Sequence, residues 1–337
     1  MKFIHLADCH LGDSFNFKSG LSNKIRNNNL ESFKKILVNN SDVDFLLIAG
    51  DLYERSLFTL KDYTNLFDFI ESFGKDIFYV TGNHDYIGDG NKSIFKLKPE
   101  NHHIFTDDKL EFYEINSTRI YGISYKDRIF NGEFNYDINL DENFFNILLV
   151  HGTINEANSN YLNLNLEKLK AMGFSYVALG HIHKYENFGK NIYYSGSIEP
   201  SDFSDIYDYG YILYDNGNIS HIASSVMKFH DLKYNLADFE SEDDLIDHIN
   251  TNLSENKENY LRLNLDGNVN QKKFKNALRS SYVEIKVNKE EPLYNLVNLY
   301  PNSLLKKYYE KFPKNLTENE KRALELGLDA IYRSKDD

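Results

Sequence analysis

The chain has one cysteine, Cys9, in 337 residues. No intrachain disulfide can form, and a reducing, cytoplasmic setting is expected. Runs of about 18 apolar residues are absent, which excludes a conventional membrane-spanning helix. The opening residues Met1-Lys2-Phe3-Ile4-His5 offer no long apolar segment or small-residue cleavage site, so no signal peptide is expected. Positive charge is scarce: 38 Lys and Arg stand against 51 Asp and Glu, a formal net charge of −13. That balance argues against a broad electrostatic grip on nucleic acid. Basic residues gather only locally, at Lys92, Lys96 and Lys98 and at Lys272, Lys273, Lys275 and Arg279. Both groups read as solvated helix faces.

What the chain does have is a repeated event in its first 183 residues. Five apolar runs each end in a carboxylate, an amide or an imidazole. The endings are Asp8-Cys9-His10, Gly50-Asp51, Gly82-Asn83-His84-Asp85, Val150-His151-Gly152 and Gly180-His181-Ile182-His183. Between them the pattern alternates. Lys2–Ala7, Phe45–Ala49 and Ile77–Val80 read as buried strands. Asn23–Val38 and Leu60–Ile70 carry apolar residues at helical spacing. Strand–helix–strand–helix–strand suggests βαβ units. Further strands are expected at Glu111–Ile115, Arg119–Ile123, Asn146–Val150, Tyr176–Leu179, Asn191–Ser195, Tyr211–Tyr214 and Ile219–Ser224. The most economical arrangement is two stacked sheets with helices outside, a four-layer α/β/β/α sandwich. Every motif then sits in a loop just past a strand, where α/β proteins place their sites.

The motifs stop near Phe229. Beyond it, Ser241 caps an expected helix bearing Leu245, Ile249 and Leu253. Leu261, Leu263 and Leu265 alternate as one strand, and Val283, Ile285 and Val287 as another. A basic helix lies between them, around Phe274 and Leu278. This is a small α+β domain. A helical tail follows, with Pro292 and Pro301 suited to first-turn positions. Thr317-Glu318-Asn319-Glu320 forms a capping box. The expected divisions are 1–228, 229–290 and 291–337.

Seven groups of the motifs suit two divalent cations held side by side: Asp8, His10, Asp51, Asn83, His151, His181 and His183. Residues two apart on a strand face the same way, which would align Asp8 with His10 and His181 with His183. Cys9 would then point inward as a small buried side chain. Asp51 is the best bridging candidate, because its two oxygens can each take one ion. Imidazole and carboxylate donors favour borderline metals over Mg²⁺, with Mn²⁺ expected first and Fe²⁺ or Zn²⁺ as other choices. Such a pair activates water and cleaves phosphoesters. His5, His102, His103, His221, His230 and His248 receive no role.

Taken together, Asp8-Cys9-His10-Leu11-Gly12, Gly50-Asp51-Leu52-Tyr53, Gly82-Asn83-His84-Asp85, Val150-His151-Gly152 and Gly180-His181-Ile182-His183 resemble the calcineurin-like metallophosphoesterases. His5-Leu6-Ala7-Asp8 and Tyr194-Ser195-Gly196-Ser197-Ile198-Glu199-Pro200 narrow the resemblance to the SbcD/YhaO group of DNA repair exonucleases. It covers about the first 225 residues. It implies one ion on Asp8, His10, Asp51 and His183, and a second on Asp51, Asn83, His151 and His181. His84 would act on the scissile phosphate without binding metal, and Asp85 would orient it. Glu54 stands where the family often has Asp. The resemblance further implies DNA as substrate, a capping role for the small domain and an SMC-like coiled-coil ATPase of the SbcC/YhaN type as partner. That ATPase would be held by the tail. A homodimer through helices near the site is a further expectation. Two rival functions share the metal chemistry or its fold: a small-molecule phosphodiesterase or phosphatase, and a non-catalytic binding subunit.

Overall fold

The computed structural model describes residues 1–13, 21–156, 159–288, 297, 303–313 and 316–334. Pro292 and Pro301 lie outside the described residues. The chain divides into two compact units. One holds Met1–His230, Ser254–Leu261 and Ser280–Tyr282; the other holds Asp231–Leu253, Arg262–Arg279 and Val283–Asp337.

The first unit is built on two six-stranded sheets. One contains β1 (Lys2–Leu6), β2 (Phe45–Ala49), β3 (Asp76–Val80), β4 (His102–Ile104), β13 (Gly210–Asp215) and β14 (Asn218–Ala223), in the order β14-β13-β1-β2-β3-β4. The other contains β5 (Glu111–Ile115), β6 (Thr118–Ile123), β7 (Phe145–His151), β10 (Tyr176–Gly180), β11 (Glu186–Asn187) and β12 (Ile192–Tyr194), in the order β11-β12-β10-β7-β6-β5. The central strands of both sheets run parallel. Their C-terminal ends therefore open on the same side of each sheet, and the motifs follow those ends.

Strand alternation explains the layers. In β2, Phe45, Leu47 and Ala49 face the other sheet, while Leu46 and Ile48 face the helices. In β10, Tyr176 and Ala178 face inward, while Val177 and Leu179 face outward. His5 also points between the sheets. Its Nε2–H donates to Leu179 O at 3.2 Å, and its Nδ1 accepts from the Tyr176 hydroxyl at 3.1 Å. Burial lowers its pKa to about 3, so this histidine is a neutral tie between sheets.

Helices α1 (Leu21–Asn39) and α2 (Leu60–Phe73) cover the outer face of the first sheet. Thr59 and Asp62 form a capping box at the start of α2, and Gly74 ends it with φ 71°. Such an N-cap stabilises by about 1 kcal/mol. The layer outside the second sheet is thinner than the sequence suggests. It consists of the short helix α4 (Leu166–Ala171) and the irregular segment 124–144, whose Phe134 and Tyr136 pack on the sheet. The short helix α3 (Gly88–Ile94) follows the third motif.

In the second unit, α5 (Glu242–Thr251) starts at Ser241, whose hydroxyl accepts from Asp244 N. Leu245, Ile249, Leu263, Leu265 and Phe274 are buried, the last on α6 (Gln271–Ala277). Lys273 on α6 pairs with Asp243 at 2.8 Å, as a solvated basic face would. A separate three-stranded sheet, whose strands are not confined to the second unit, holds β15 (Met227–Asn235), β16 (Glu258–Asp266) and β17 (Tyr282–Asn288) in that order. In the tail, α7 (Leu304–Tyr309) and α8 (Glu318–Arg333) bury Leu305, Leu324 and Leu328 with Val297. The Thr317–Glu320 capping box is formed. Among the described residues no helix is long and apolar enough to cross a membrane.

One buried carboxyl ties α1 to the segment that leaves the first unit's core. Glu199 accepts from the Ser32 hydroxyl, from Val226 N at 2.7 Å and from Met227 N at 3.1 Å. Replacing it with alanine strands two backbone donors in a buried site. At roughly 1–3 kcal/mol per orphaned group, Glu199→Ala is expected to cost about 3 kcal/mol in urea unfolding, and Glu199→Gln less. An unchanged unfolding midpoint in Glu199→Ala would show that the tie contributes nothing.

Candidate metal centre

Two loops form the floor of the site, and their backbones are zipped together. Asp8 N donates to Gly50 O at 3.1 Å, His10 N to Asp51 O at 3.0 Å and Leu11 N to Leu52 O at 2.9 Å. Glu54 N returns a bond to Leu11 O at 3.0 Å. The side chains reach further. Asp51 Oδ1 accepts from His84 N at 2.8 Å, and Asp8 accepts from His181 N at 3.0 Å. Loops after β1, β2, β3 and β10 are thus joined through two carboxylates. Gly82 must be glycine for this to work, because a Cβ there would meet Asp51 Oδ1 and the His151 ring.

The strand geometry expected for Asp8-x-His10 is not what the chain adopts. β1 ends at Leu6, and Asp8 and His10 have φ of 50° and 45°. Asp51 and His181 also lie at positive φ, 51° and 103°. Each such residue costs about 1 kcal/mol or more and persists only where its surroundings force it. The loops turn sharply enough to bring both side chains to the site by this route. Cys9 is buried beneath them, with its thiol directed to Ala7 O at 3.8 Å.

The candidate ligands converge. Asp8, His10 and His183 place ligand atoms within 4.8 Å of one another, as do Asp8, Asp51 and His151, and also His10, Asp51 and His84. His151 Nε2 lies 3.3 Å from Asp51 and 3.1 Å from Asn83 Oδ1. His181 stands outside these triads; its ring contacts His151 at 5.2 Å between centroids. His181 and His183 therefore separate, with His183 on the Asp8–His10 side. Asp8, His10, Asp51, Asn83 and His151 are each 5% exposed or less. The six histidines without a role stay out of these triads.

The imidazoles are aimed from behind. His151 Nδ1–H donates to Ala49 O at 2.9 Å, leaving Nε2 toward Asp51. His183 Nδ1 faces Ser201 Oγ at 3.4 Å and Asp205 at 3.6 Å, and Ser201 in turn donates to Asp205. Asp205 and Ser201 carried no sequence signal beyond lying close after the last motif.

Burial pushes the Asp8 carboxyl up to about 6. For Asp51 burial works in the same direction, but the imidazoles of His151, His10 and His84 outweigh it and hold the carboxyl well below its usual range. His151 mirrors this: burial lowers its pKa, Asp51 and Asp8 outweigh burial, and the result is about 9. The proton on His151 thus stands where positive charge is wanted. His10 and His183 present Nε2 atoms to each other at 3.2 Å, and His10 Nδ1 is buried without a partner. Carboxylate, amide and imidazole donors in this arrangement fit divalent cations of borderline type, whose binding would displace such a proton.

The role expected for Asp85 is corrected by the structure. Asp85 is fully buried and does not touch the His84 ring. It accepts from Leu52 N and Gly82 N, both at 2.6 Å, and from the Tyr79 hydroxyl at 2.5 Å. These bonds pin the loops under the site. Adjacent residues point apart, so neighbours in sequence were poor candidates for a bonded pair. The carboxylate that meets His84 is Glu54: His84 Nδ1–H donates to Glu54 Oε2 at 2.5 Å. Glu54 comes three residues after Asp51 in the loop that is zipped against the first motif. The Arg55 guanidinium lies 4.4 Å over the Tyr86 ring, and its backbone N–H donates to His84 O.

Comparison with known proteins agrees with this geometry. The family model for calcineurin-like phosphoesterases matches residues 1–185. The uncharacterized metallophosphoesterase YhaO of Bacillus subtilis strain 168 is 31% identical over 244 residues. The match takes in 66% of this chain and 59% of that protein's length. One solved structure aligns over 66% of this chain and 99% of its own, with a TM-score of 0.44 and 10% identity, a likeness too loose to carry weight.

The Glu54–His84 contact makes a prediction with a sign. The Glu54 hydrogen bond raises the His84 pKa, and Glu54 itself, although burial opposes it, is lowered to about 2. The imidazole therefore stays protonated to higher pH. Glu54→Gln is expected to move the upper limb of the pH–rate profile to lower pH. It should cut turnover about tenfold, a fraction of the roughly 100- to 10,000-fold that a placed acid supplies. Manganese binding should not change. An unmoved upper limb would dissociate Glu54 from His84 function.

Proposed function

The chain belongs to the calcineurin-like phosphoesterase family, and we propose that it is a Mn²⁺-dependent DNA nuclease of the SbcD/YhaO type. The observation that carries hydrolysis is the convergence of Asp8, His10, Asp51, His151 and His183 beside a histidine held by its own carboxylate. Support for DNA comes from the motif resemblance and from the likeness to YhaO. That relative is itself uncharacterized, and this chain spans 59% of its length.

Asp8, His10, Asp51 and His183 would hold one cation; Asp51, Asn83, His151 and His181 would hold the other. Bound in this way, divalent cations supply a Lewis-acid charge that activates water and offsets charge on the phosphate oxygens. The chain's own groups do the rest. His84, with Nδ1 committed to Glu54, turns Nε2–H toward the site and donates that proton to the leaving oxygen. Glu54 holds the ring and favours its charged form. Asp85 keeps the loops that carry Asp51 and Asn83 in place.

The acidic chain has little electrostatic hold on DNA, so a partner supplies it. We place an SMC-like ATPase on the tail. Helices α7 and α8 satisfy one apolar face internally, yet leave Leu304 60% and Leu326 65% exposed, as a docking segment would.

The test compares wild type, His84→Ala and Asp51→Ala on duplex DNA and on a small aryl phosphodiester with Mn²⁺. Wild type should cut DNA. His84→Ala should retain two manganese ions and lose cleavage by roughly 100-fold or more. Asp51→Ala should lose metal and activity together. A wild type that hydrolyses the small diester much faster than DNA would replace the nuclease with a small-molecule phosphodiesterase.

A further inference from the structure

The ring of His181 is held differently from those of His151, His183 and His84. Each of these three has a polar group behind its Nδ1: Ala49 O, Ser201 with Asp205, and Glu54. The His181 backbone N–H is fixed by Asp8, but no hydrogen bond to its ring is found among the described residues. Its φ of 103° is also one that L-residues resist. What meets the ring is Tyr161, at 4.1 Å between centroids and 47° between planes. The His151 ring meets it edge-on at 5.2 Å.

Tyr161 is itself well placed to act as a stop. It rides on the excursion between β8 (Thr153–Ile154) and β9 (Asn163–Leu164), which pair in parallel. Thr153 N donates to Leu162 O at 2.8 Å, closing the excursion. Leu162 N donates to the Tyr125 hydroxyl at 2.8 Å, and the Tyr125 ring packs edge-on against His151 at 5.6 Å. Tyr161 N donates to Ser159 Oγ at 3.2 Å. The loop that follows one candidate ligand, His151, thereby returns to support another.

We propose that Tyr161 is the positioning residue of His181, with ring-to-ring packing taking the place of a hydrogen bond behind the imidazole. The proposal rests on the reading of His181 as a metal ligand. Aromatic pairs at this separation attract one another beyond simple area burial. That is enough to favour one ring orientation over its alternatives. The aromatic face does the work, so phenylalanine should replace tyrosine and an aliphatic side chain should not.

The experiment measures Mn²⁺ binding to the purified full chain by calorimetry, with the electron paramagnetic resonance spectrum of bound manganese as second readout. The variants are Tyr161→Phe, Tyr161→Leu and His181→Ala. Leucine keeps apolar bulk against the cluster around Tyr125 and Leu162, so the fold is retained. Tyr161→Phe should bind two equivalents as wild type does. Tyr161→Leu should weaken one of the two roughly 2- to 12-fold, the size of effect an aromatic pair supplies. It should also lose the coupled-pair spectrum at limiting metal. His181→Ala should lose that same equivalent. Wild-type binding by Tyr161→Leu beside a defective His181→Ala overturns the positioning role alone. Equal defects in Tyr161→Phe and Tyr161→Leu overturn it too, since the hydroxyl would then be responsible. Full binding by His181→Ala removes the ligand reading and the proposal with it.

Discussion

The site depends on where the Asp51 carboxylate is held. One oxygen accepts the His84 backbone N–H, and the other faces His151 Nε2 at 3.3 Å. Its own carbonyl receives His10 N. Three motifs distant in sequence are thus oriented about one side chain. Gly82 leaves the space it needs. Asp85 fixes the same loop from below through Leu52 N. A buried carboxylate with several donors stays ionised against the cost of burial. Here that charge organises the surrounding imidazoles.

The two-sheet scaffold makes this possible because alternation sends every second residue to a different core. Phe45, Leu47 and Ala49 fill the space between sheets while Leu46 and Ile48 meet the helices. A strand with both faces buried reads as an unbroken apolar run. Such runs were the clearest signal in the chain, and Phe45–Ala49 is found where the sequence places it. The helices α1 and α2 were also legible, within three residues at each end, from their apolar spacing.

What the sequence could not show was contact between residues far apart. The family resemblance put Asp85 behind His84, whereas the fold brings Glu54 there from another loop. Sequence spacing treated Asp8 and His10 as a continuing strand, although both adopt positive φ. Local pattern carries no information on a turn forced by cross-loop bonds. Tyr161 and Asp205 were invisible for the same reason: nothing near them in sequence marks them, and only folding sets them against His181 and His183. The four-layer order was legible, but not the part of the outer layer formed by segment 124–144, which packs without helical periodicity.

The carboxylates of Asp8 and Asp51 each accept a backbone N–H from another motif, that of His181 and that of His84, so the ligand loops are joined by bonds of the polypeptide itself. With mixed nitrogen and oxygen donors, affinity would follow the general divalent series, and the bound ion would reflect which ions are available. A shift in the ratio of available divalent ions would then change the occupant with no change in the chain.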